Sequence, residues 1–346
     1  MRQCELKLYR GYANNNELVV FGHAFRKYPS ANDLYDRKGF KYINSILQLF
    51  TIKTIANARV VLHFGDFKVE TKTLNDGFFE FNLPLDHPLS CGWHNYEVRL
   101  EDTVEGDCIS FSRKGELLVP YEGAYTIISD IDDTFLISYS GHLLKKLYVM
   151  LTKNVESRLP FEDVVKHYRL LSFAGRGQNE NDTESNTFFY VSSSEWNLYE
   201  FITRFTNFNG LPKAVLKLKS IKSGLGDFLM TGGGSHEHKE RKIRNIIKFY
   251  PHLKFILLGD DSQRDPHIYE VICKSFPLSV RAVYIRQTES TEKREARRLL
   301  DNMTGLGVDI CYFRHSSEAI LHSVKSGIIT QDQVMAFERK EAELHL

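Results

Sequence analysis

The chain lacks most of what would set it apart from an ordinary globular protein. Its 346 residues include five cysteines, Cys4, Cys91, Cys108, Cys273 and Cys311, odd in number and widely scattered. None shows the Cys-x-x-Cys step of a zinc site, and no even set suggests a disulfide framework. The thiols are therefore expected to be reduced and mostly buried, in a reducing compartment such as the cytoplasm. No apolar run approaches 18 residues, and the opening MRQCELKLYRGY has no apolar signal core. On this reading any contact with lipid is peripheral, at a membrane surface. Charge of one sign is missing too: 45 Lys and Arg against 44 Asp and Glu leave +1. Such a balance argues against nucleic acid as a partner.

What is present is ordinary in bulk and specific in detail. Hydrophobic residues make up 42% and charged residues 26%, enough for more than one core in a chain of this length. The first part reads as short strands broken by turns: Glu17 to Ala24, Arg59 to His63, Lys68 to Thr73, Phe78 to Leu83 and His94 to Leu100. Asn75-Asp76-Gly77 lies between two of them and predicts a tight hairpin turn. The pattern changes near Tyr121. Short apolar strands then alternate with amphipathic segments such as Phe161 to Leu171 and Glu240 to Phe249, the signature of a parallel sheet. The predicted strands are Tyr125 to Ser129, Phe188 to Val191, Ala214 to Leu218, Lys254 to Leu258, Arg281 to Ile285 and Val308 to Phe313. A helix is expected over Ser317 to Lys325, and a mobile loop at Gly232-Gly233-Gly234. The expected organisation is a small all-β sandwich over residues 1–121 and an α/β domain over 122–346.

The chemistry centres on Thr126-Ile-Ile-Ser-Asp130-Ile-Asp132-Asp133-Thr134. An apolar strand delivers acidic residues at its carboxyl end, where open α/β sheets place their ligands. Asp130 and Asp132 are two apart and project to one side if the extended geometry persists. Two such carboxylates repel, and a divalent cation relieves the repulsion. One can then attack phosphorus while the other moves protons. Further strand ends supply Ser192, Ser193 and Ser194, whose hydroxyls and N–H groups suit phosphate oxygens. Lys239 offers a fixed positive charge, and Gly259-Asp260-Asp261, with Asp265 following, offers oxygen ligands to a hard cation such as Mg²⁺. Singly, each of these later signals is as readily a turn or a solvated face. Their order is much harder to obtain by chance. His236 and His238 form an H-x-H without a third ligand at usable spacing and read as loop histidines; Trp93 and Trp196 read as packing residues.

That order resembles the haloacid-dehalogenase-like phosphatases, and within them the actin-patch type of phosphatidate phosphatase. The resemblance rests on SDIDDT from Ser129, SRLPF from Ser157, YVSSSEWNLYE from Tyr190, HK at His238-Lys239, GDDSQRDPHIYE from Gly259 and VRAVYIR from Val280. In the first part YRGY from Tyr9 and CGWH from Cys91 also fit. The chain departs from the pattern at Glu195, where proline is usual, at Ser262-Gln263 in place of Gly-Gln, and at Lys219-Ser220 in place of Arg-Asp. The resemblance implies a Rossmannoid parallel sheet and a phosphatase. Asp130 would be the nucleophile and Asp132 the general acid and base. Ser192, Ser193 and Lys239 would hold the phosphoryl oxygens, and Thr134 would position the loop. Mg²⁺ would be held by Asp130, Asp132 (through its carbonyl) and Asp260, with Asp265 or Asp261 orienting its water.

The implied substrate is an anionic phospholipid: phosphatidic acid, giving diacylglycerol. His142 to Thr152 has apolar residues at helical spacing with Lys145 and Lys146 opposite, which suits a bilayer surface or, more commonly, the protein's own core. Lys213, Lys217, Lys219 and Lys222 form a second basic stretch. A phosphatase of a soluble phosphomonoester or phosphoprotein is the alternative, followed by a non-catalytic binder of acidic lipid.

Overall fold

The computed structural model describes residues 4–27, 52–104, 107–121, 125–131, 159–175, 185–220, 235–262, 264–289 and 291–344. Asp132, Thr134, the expected helix over 142–152 and the Gly232–Gly234 loop lie outside them. The chain divides into two compact units. The first comprises Met1–Pro120, Ser194–Phe201 and Leu218–Gly233; the second comprises Tyr121–Ser193, Ile202–Lys217 and Gly234–Leu346.

In the first unit the described strands are β1 (Glu5–Leu8), β2 (Gly11–Ala13), β3 (Glu17–Lys27), β4 (Lys53–Thr54), β5 (Arg59–Phe64), β6 (Phe67–Lys72), β7 (Phe78–Pro84), β8 (Gly92–Val104) and β9 (Asp107–Val119). They join into one nine-stranded sheet, ordered β1-β3-β2-β9-β8-β5-β6, with β4 and β7 also on β3. Most pairs are antiparallel, and β2 with β9 is parallel. The sequence reading expected a small all-β sandwich. The described strands are all linked by hydrogen bonds, four of them meeting on β3, and alternate residues of several strands share one core: Leu18 and Val20, Val60 and Leu62, Phe79 and Phe81, Val98 and Leu100, Leu117 and Val119.

The Asp-Gly turn forms without the predicted hairpin. Gly77 has φ +78, the left-handed conformation that glycine tolerates. Leu74 and Phe78 bond across the turn at 2.7 Å, and Asp76 accepts the Phe78 N–H at 3.1 Å. The strands on either side then part, β6 pairing with β5 and β7 with β3. Burial of Phe79 and Phe81 against the far strand outweighs the local preference to fold back.

Within this unit Tyr9 stacks on Trp196 with ring centroids 4.2 Å apart, and its hydroxyl meets His23 Nδ1 at 3.0 Å. The packing role expected of Trp196 is consistent with its 6% exposure.

A second sheet, whose strands lie in the second unit except for the last two residues of β11 and of β12, is built of β10 (Thr126–Asp130), β11 (Thr187–Glu195), β12 (Ala214–Lys219), β13 (Phe255–Asp260), β14 (Val280–Arg286) and β15 (Asp309–Phe313), ordered β12-β11-β10-β13-β14-β15. β10 is parallel to β11 and β13, and β14 is parallel to β13 and β15. The described α-helices are α1 (Leu159–Ser172), α2 (Tyr199–Phe208), α3 (Ser235–Phe249), α4 (Asp265–Ser275), α5 (Arg294–Thr304), α6 (Ser316–Lys325) and α7 (Gln331–Leu344). The alternation of strand and helix predicted for this part is present. β10 and β13 are buried at every position, as central strands covered on both faces must be. The strand order reverses beside β10: β11 and β12 lie to one side of it, β13 to β15 to the other. Open α/β sheets bind ligands at the carboxyl ends of strands at such a point. Among the described residues no helix is long and apolar enough to cross a membrane.

Candidate active site

Asp130 ends β10 and Asp260 ends β13, the two strands flanking the reversal. Ser129 pairs with Leu258, so the two carboxylates leave neighbouring strands at nearly the same level. Asp130 is 1% exposed and Asp260 fully buried. Asp265 opens α4, also fully buried, with Pro266 fixing the first turn of that helix. Its Oδ2 accepts the Asp260 N–H at 3.4 Å. The glycine of Gly-Asp-Asp is explained by crowding: a Cβ at Gly259 would lie 2.4 Å from Asp265 Oδ2 and 2.9 Å from the Tyr269 hydroxyl. Only glycine lets α4 bring Asp265 this close to β13.

Lys239 comes from the first turns of α3. Its buried neighbours Ile243, Ile246 and Ile247 follow at helical spacing, so the lysine occupies a core-facing position. The solvated reading that a lone lysine invites is overturned here: Lys239 is 2% exposed. Its Nζ lies 3.0 Å from Asp130 Oδ1 and makes a short ion pair with Asp265 Oδ1. Three carboxylates and one ammonium thus share a buried place, where charge is tolerated only when paired.

The serines differ from expectation. β11 runs on through Ser192–Ser194 to Glu195, so they form the tail of a strand and not a turn. Asp130 pairs with Val191, which sets Ser192 one residue past the end of β10. Ser192 is fully buried and its carbonyl accepts the Lys242 ammonium at 3.0 Å. Lys242 lies one turn after Lys239 on α3 and was not singled out from the sequence.

Asp261 faces another way. Its Oδ1 accepts the Thr288 N–H at 2.9 Å and the Thr288 hydroxyl at 2.5 Å, and its Oδ2 accepts the Tyr312 hydroxyl at 2.7 Å. Lys293 Nζ donates to its carbonyl at 2.7 Å and lies 3.6 Å from Oδ1. Asp261 fastens the segment after β14 to the end of β13, whereas Asp265 touches Lys239 and the Asp260 backbone. Spacing alone could not separate the two.

Two buried tyrosines back the site; Tyr269 lies in the quoted GDDSQRDPHIYE stretch without having been singled out, and Tyr168 carried no signal. Tyr269 donates to the Leu258 carbonyl at 2.7 Å, and the Tyr168 hydroxyl meets Ser129 Oγ at 2.7 Å. Burial first, then the charges of nearby carboxylates, holds both phenols well above the usual tyrosine range. Arg286, at the end of β14, lines a recess with His167, Tyr168, Gly259 and Phe313. Among the described residues no three His, Cys, Asp or Glu side chains already close on one point as a metal cluster. His238 Nδ1 meets Arg241 at 2.7 Å.

The described geometry coincides with a match to known proteins. The family described as phosphatidate phosphatase APP1, catalytic domain, matches residues 125–287. Phosphatidate phosphatase APP1 of Saccharomyces cerevisiae is 29% identical over 192 residues, 55% of this chain and 30% of that protein. The chain thus spans less than a third of the length of this curated relative. Solved structures give little. A carbohydrate acetylesterase from Xanthomonas citri is 10% identical, over 94% of this chain and 75% of its own, at TM-score 0.31. A β-glucuronidase from Parabacteroides merdae is 8% identical, over 90% of this chain and 40% of its own, at TM-score 0.30. At such scores neither bears on fold or activity. The stretch that holds Asp130, Ser192, Lys239, Asp260 and Asp265 is the stretch that matches, and over residues 125–287 the chain is similar to the phosphatidate phosphatase APP1 catalytic domain family.

Proposed function

We propose that the chain is a phosphoric monoester hydrolase that releases phosphate from phosphatidic acid, with residues 122–346 as a haloacid-dehalogenase-like catalytic domain and residues 1–121 as an accessory β domain. The observation that carries this reading is the family match to a stretch whose acidic and basic side chains converge at the carboxyl ends of β10 and β13. Asp130 attacks phosphorus in line; the bond to the leaving alkoxide breaks, and the alkoxide takes a proton from Asp132. Water then attacks the aspartyl-phosphate, Asp132 accepts its proton, and Asp130 is regenerated with release of phosphate. Lys239, held between Asp130 and Asp265, places its ammonium where phosphoryl oxygens gather charge. Ser192 and Ser193 donate to the same oxygens, and Thr134 positions the loop after the nucleophile.

Mg²⁺ suits the donor set, which is all oxygen and carries three buried carboxylates against one buried ammonium. Asp130, the Asp132 carbonyl and Asp260 would hold it, with Asp265 beside them. Once bound it neutralises charge on the transferring phosphoryl group. The cytoplasm, with peripheral contact to an anionic membrane, is the proposed location. Hydrolysis of a soluble phosphomonoester is the second reading.

The test is phosphate release from phosphatidic acid in mixed micelles, with Mg²⁺ or with EDTA. Metal-dependent release that follows the surface concentration of lipid is expected. Turnover of p-nitrophenyl phosphate alone would keep the chemistry and discard the lipid. Silence on both would sink the enzyme.

The roles of the two aspartates separate in the same assay. Asp265→Asn is expected to raise the Mg²⁺ concentration for half-maximal rate by about tenfold or more. Asp261→Asn should leave that concentration unchanged and lower Tm by about 5 °C, from about 2 kcal/mol of lost buried hydrogen bonding. A shifted metal requirement in Asp261→Asn would move it into the metal site.

A further inference from the structure

Packing alone would be satisfied by phenylalanine at position 168. The Tyr168 ring lies on the core-facing stripe of α1, between Val164 and Leu171, and packs near Phe188 with centroids 6.1 Å apart. It is 2% exposed, so its hydroxyl is costly unless hydrogen-bonded. The bond it makes leads to the nucleophile. Ser129 Oγ donates to the Asp130 carbonyl at 2.8 Å. A serine hydroxyl has one proton, and this bond uses it. Ser129 Oγ must then accept from Tyr168, 2.7 Å away. The direction of the chain is fixed: Tyr168 hydroxyl to Ser129 hydroxyl to Asp130 carbonyl.

That carbonyl belongs to the peptide joining Asp130 to Ile131, where β10 ends and the segment toward Asp132 begins. In-line attack tolerates errors of only about 0.5 Å and 10–20° in the nucleophile. A peptide plane free to turn at this point would reorient the Asp130 side chain and whatever follows it. We propose that Tyr168 is a positioning residue: through Ser129 its hydroxyl holds the peptide after Asp130 in the orientation that aims the carboxylate. The inference rests on reading Asp130 as the nucleophile. The raised pKa of the phenol means that it remains a donor over the whole working range of pH.

The test is a double-mutant cycle with Tyr168→Phe and Ser129→Ala, read by Mg²⁺-dependent hydrolysis of p-nitrophenyl phosphate. Each single substitution is expected to lower kcat about tenfold with KM unchanged within about twofold. The double variant should be no slower than the slower single one, because both break the same relay. A pH profile parallel to that of the wild type is expected, since no group in the relay titrates. Unchanged kcat, or losses that multiply in the double variant, would overturn the proposal, as would a rise in KM alone. Should the wild type hydrolyse neither this substrate nor phosphatidic acid, the functional reading fails and amide exchange decides the positioning. Faster exchange in the 126–131 peptide of Tyr168→Phe, with the 280–286 peptide unchanged, would still support the relay. Equal exchange would refute it.

Discussion

Asp130→Asn is expected to abolish phosphate release and, at the same time, to stabilise the metal-free protein. The first effect follows from the loss of the attacking oxygen charge: release should fall by about 10³-fold or more. The second follows from the electrostatics of the folded site. Asp130, Asp260 and Asp265 are each no more than 1% exposed, and Lys239 is the buried ammonium that answers them, 3.0 Å from Asp130 and in a short pair with Asp265. Without a divalent cation the carboxylates repel in a medium where screening is poor. An amide at position 130 removes one negative charge, keeps an oxygen for Lys239, and leaves the Asp265 pair in place. A gain of about 1–2 kcal/mol would raise Tm by about 2–6 °C in EDTA. Mg²⁺ should then stabilise the wild type more than the variant. Calorimetry with and without metal, beside a phosphate-release assay, gives all of these. Release within tenfold of wild type would remove Asp130 from the nucleophile's role; a lower Tm in EDTA would refute the charge argument.

Mild acid should unfold the protein, through one buried histidine in each unit. Burial lowers His23 from 6.5 to about 3, and burial, with a smaller contribution from His322, lowers His167 to about 3 as well. His23 lies in the first unit and His167 in the second. His23 Nδ1 is bonded to Tyr9, while its Nε2 has no partner among the described residues. His167 Nε2 meets Ser323 Oγ at 3.0 Å. Among the described residues no carboxylate raises either histidine. For a group whose folded pKa lies below its unfolded value, the unfolded chain binds the proton first. The stabilisation is complete above pH 6.5 and is lost progressively as pH falls toward 3. At pH 5 each histidine should cost about 2 kcal/mol relative to neutral pH. Both tryptophans, Trp93 and Trp196, fall in the first unit, so their fluorescence reports it selectively. His23→Phe should shift the acid midpoint of fluorescence downward by about half a pH unit or more. His167→Phe should leave fluorescence nearly unchanged and shift the helical signal instead. Midpoints that ignore both substitutions would place acid sensitivity elsewhere.

Much of the second unit was legible because its signals are local. Apolar runs of four to six residues between helical segments specify a parallel sheet; β10 and β14 fall within one residue of where the pattern puts them, and β13 runs two residues further than expected, to Asp260. α2, α4, α5 and α7 were not marked in advance; charge interrupts the apolar stripe in Arg294–Thr304. In the first unit β1, β2, β4 and β9 were missed. β2 and β4 are three and two residues long and are defined by their partners, β2 by β3 and β9 and β4 by β3. β9 reads as mixed and charged, and its place is set by the thirteen-residue β8 against which it lies.

The candidate site divides in the same way. The sequence by itself determined the carboxylates at strand ends, the serines and the order in which they appear, because two-residue periodicity and a strand's direction are local properties. The tertiary structure decided which groups meet. It buried Lys239 between Asp130 and Asp265, although α3 is distant in sequence from β10. It turned Asp261 toward Thr288 and Tyr312, and left Asp265 beside Asp260, where spacing had left both open. It also set Tyr168 behind Ser129, 39 residues away in sequence. The physical reason is that a buried charge or hydroxyl takes its meaning from its partners, and partners across a sheet are chosen by packing rather than by spacing along the chain.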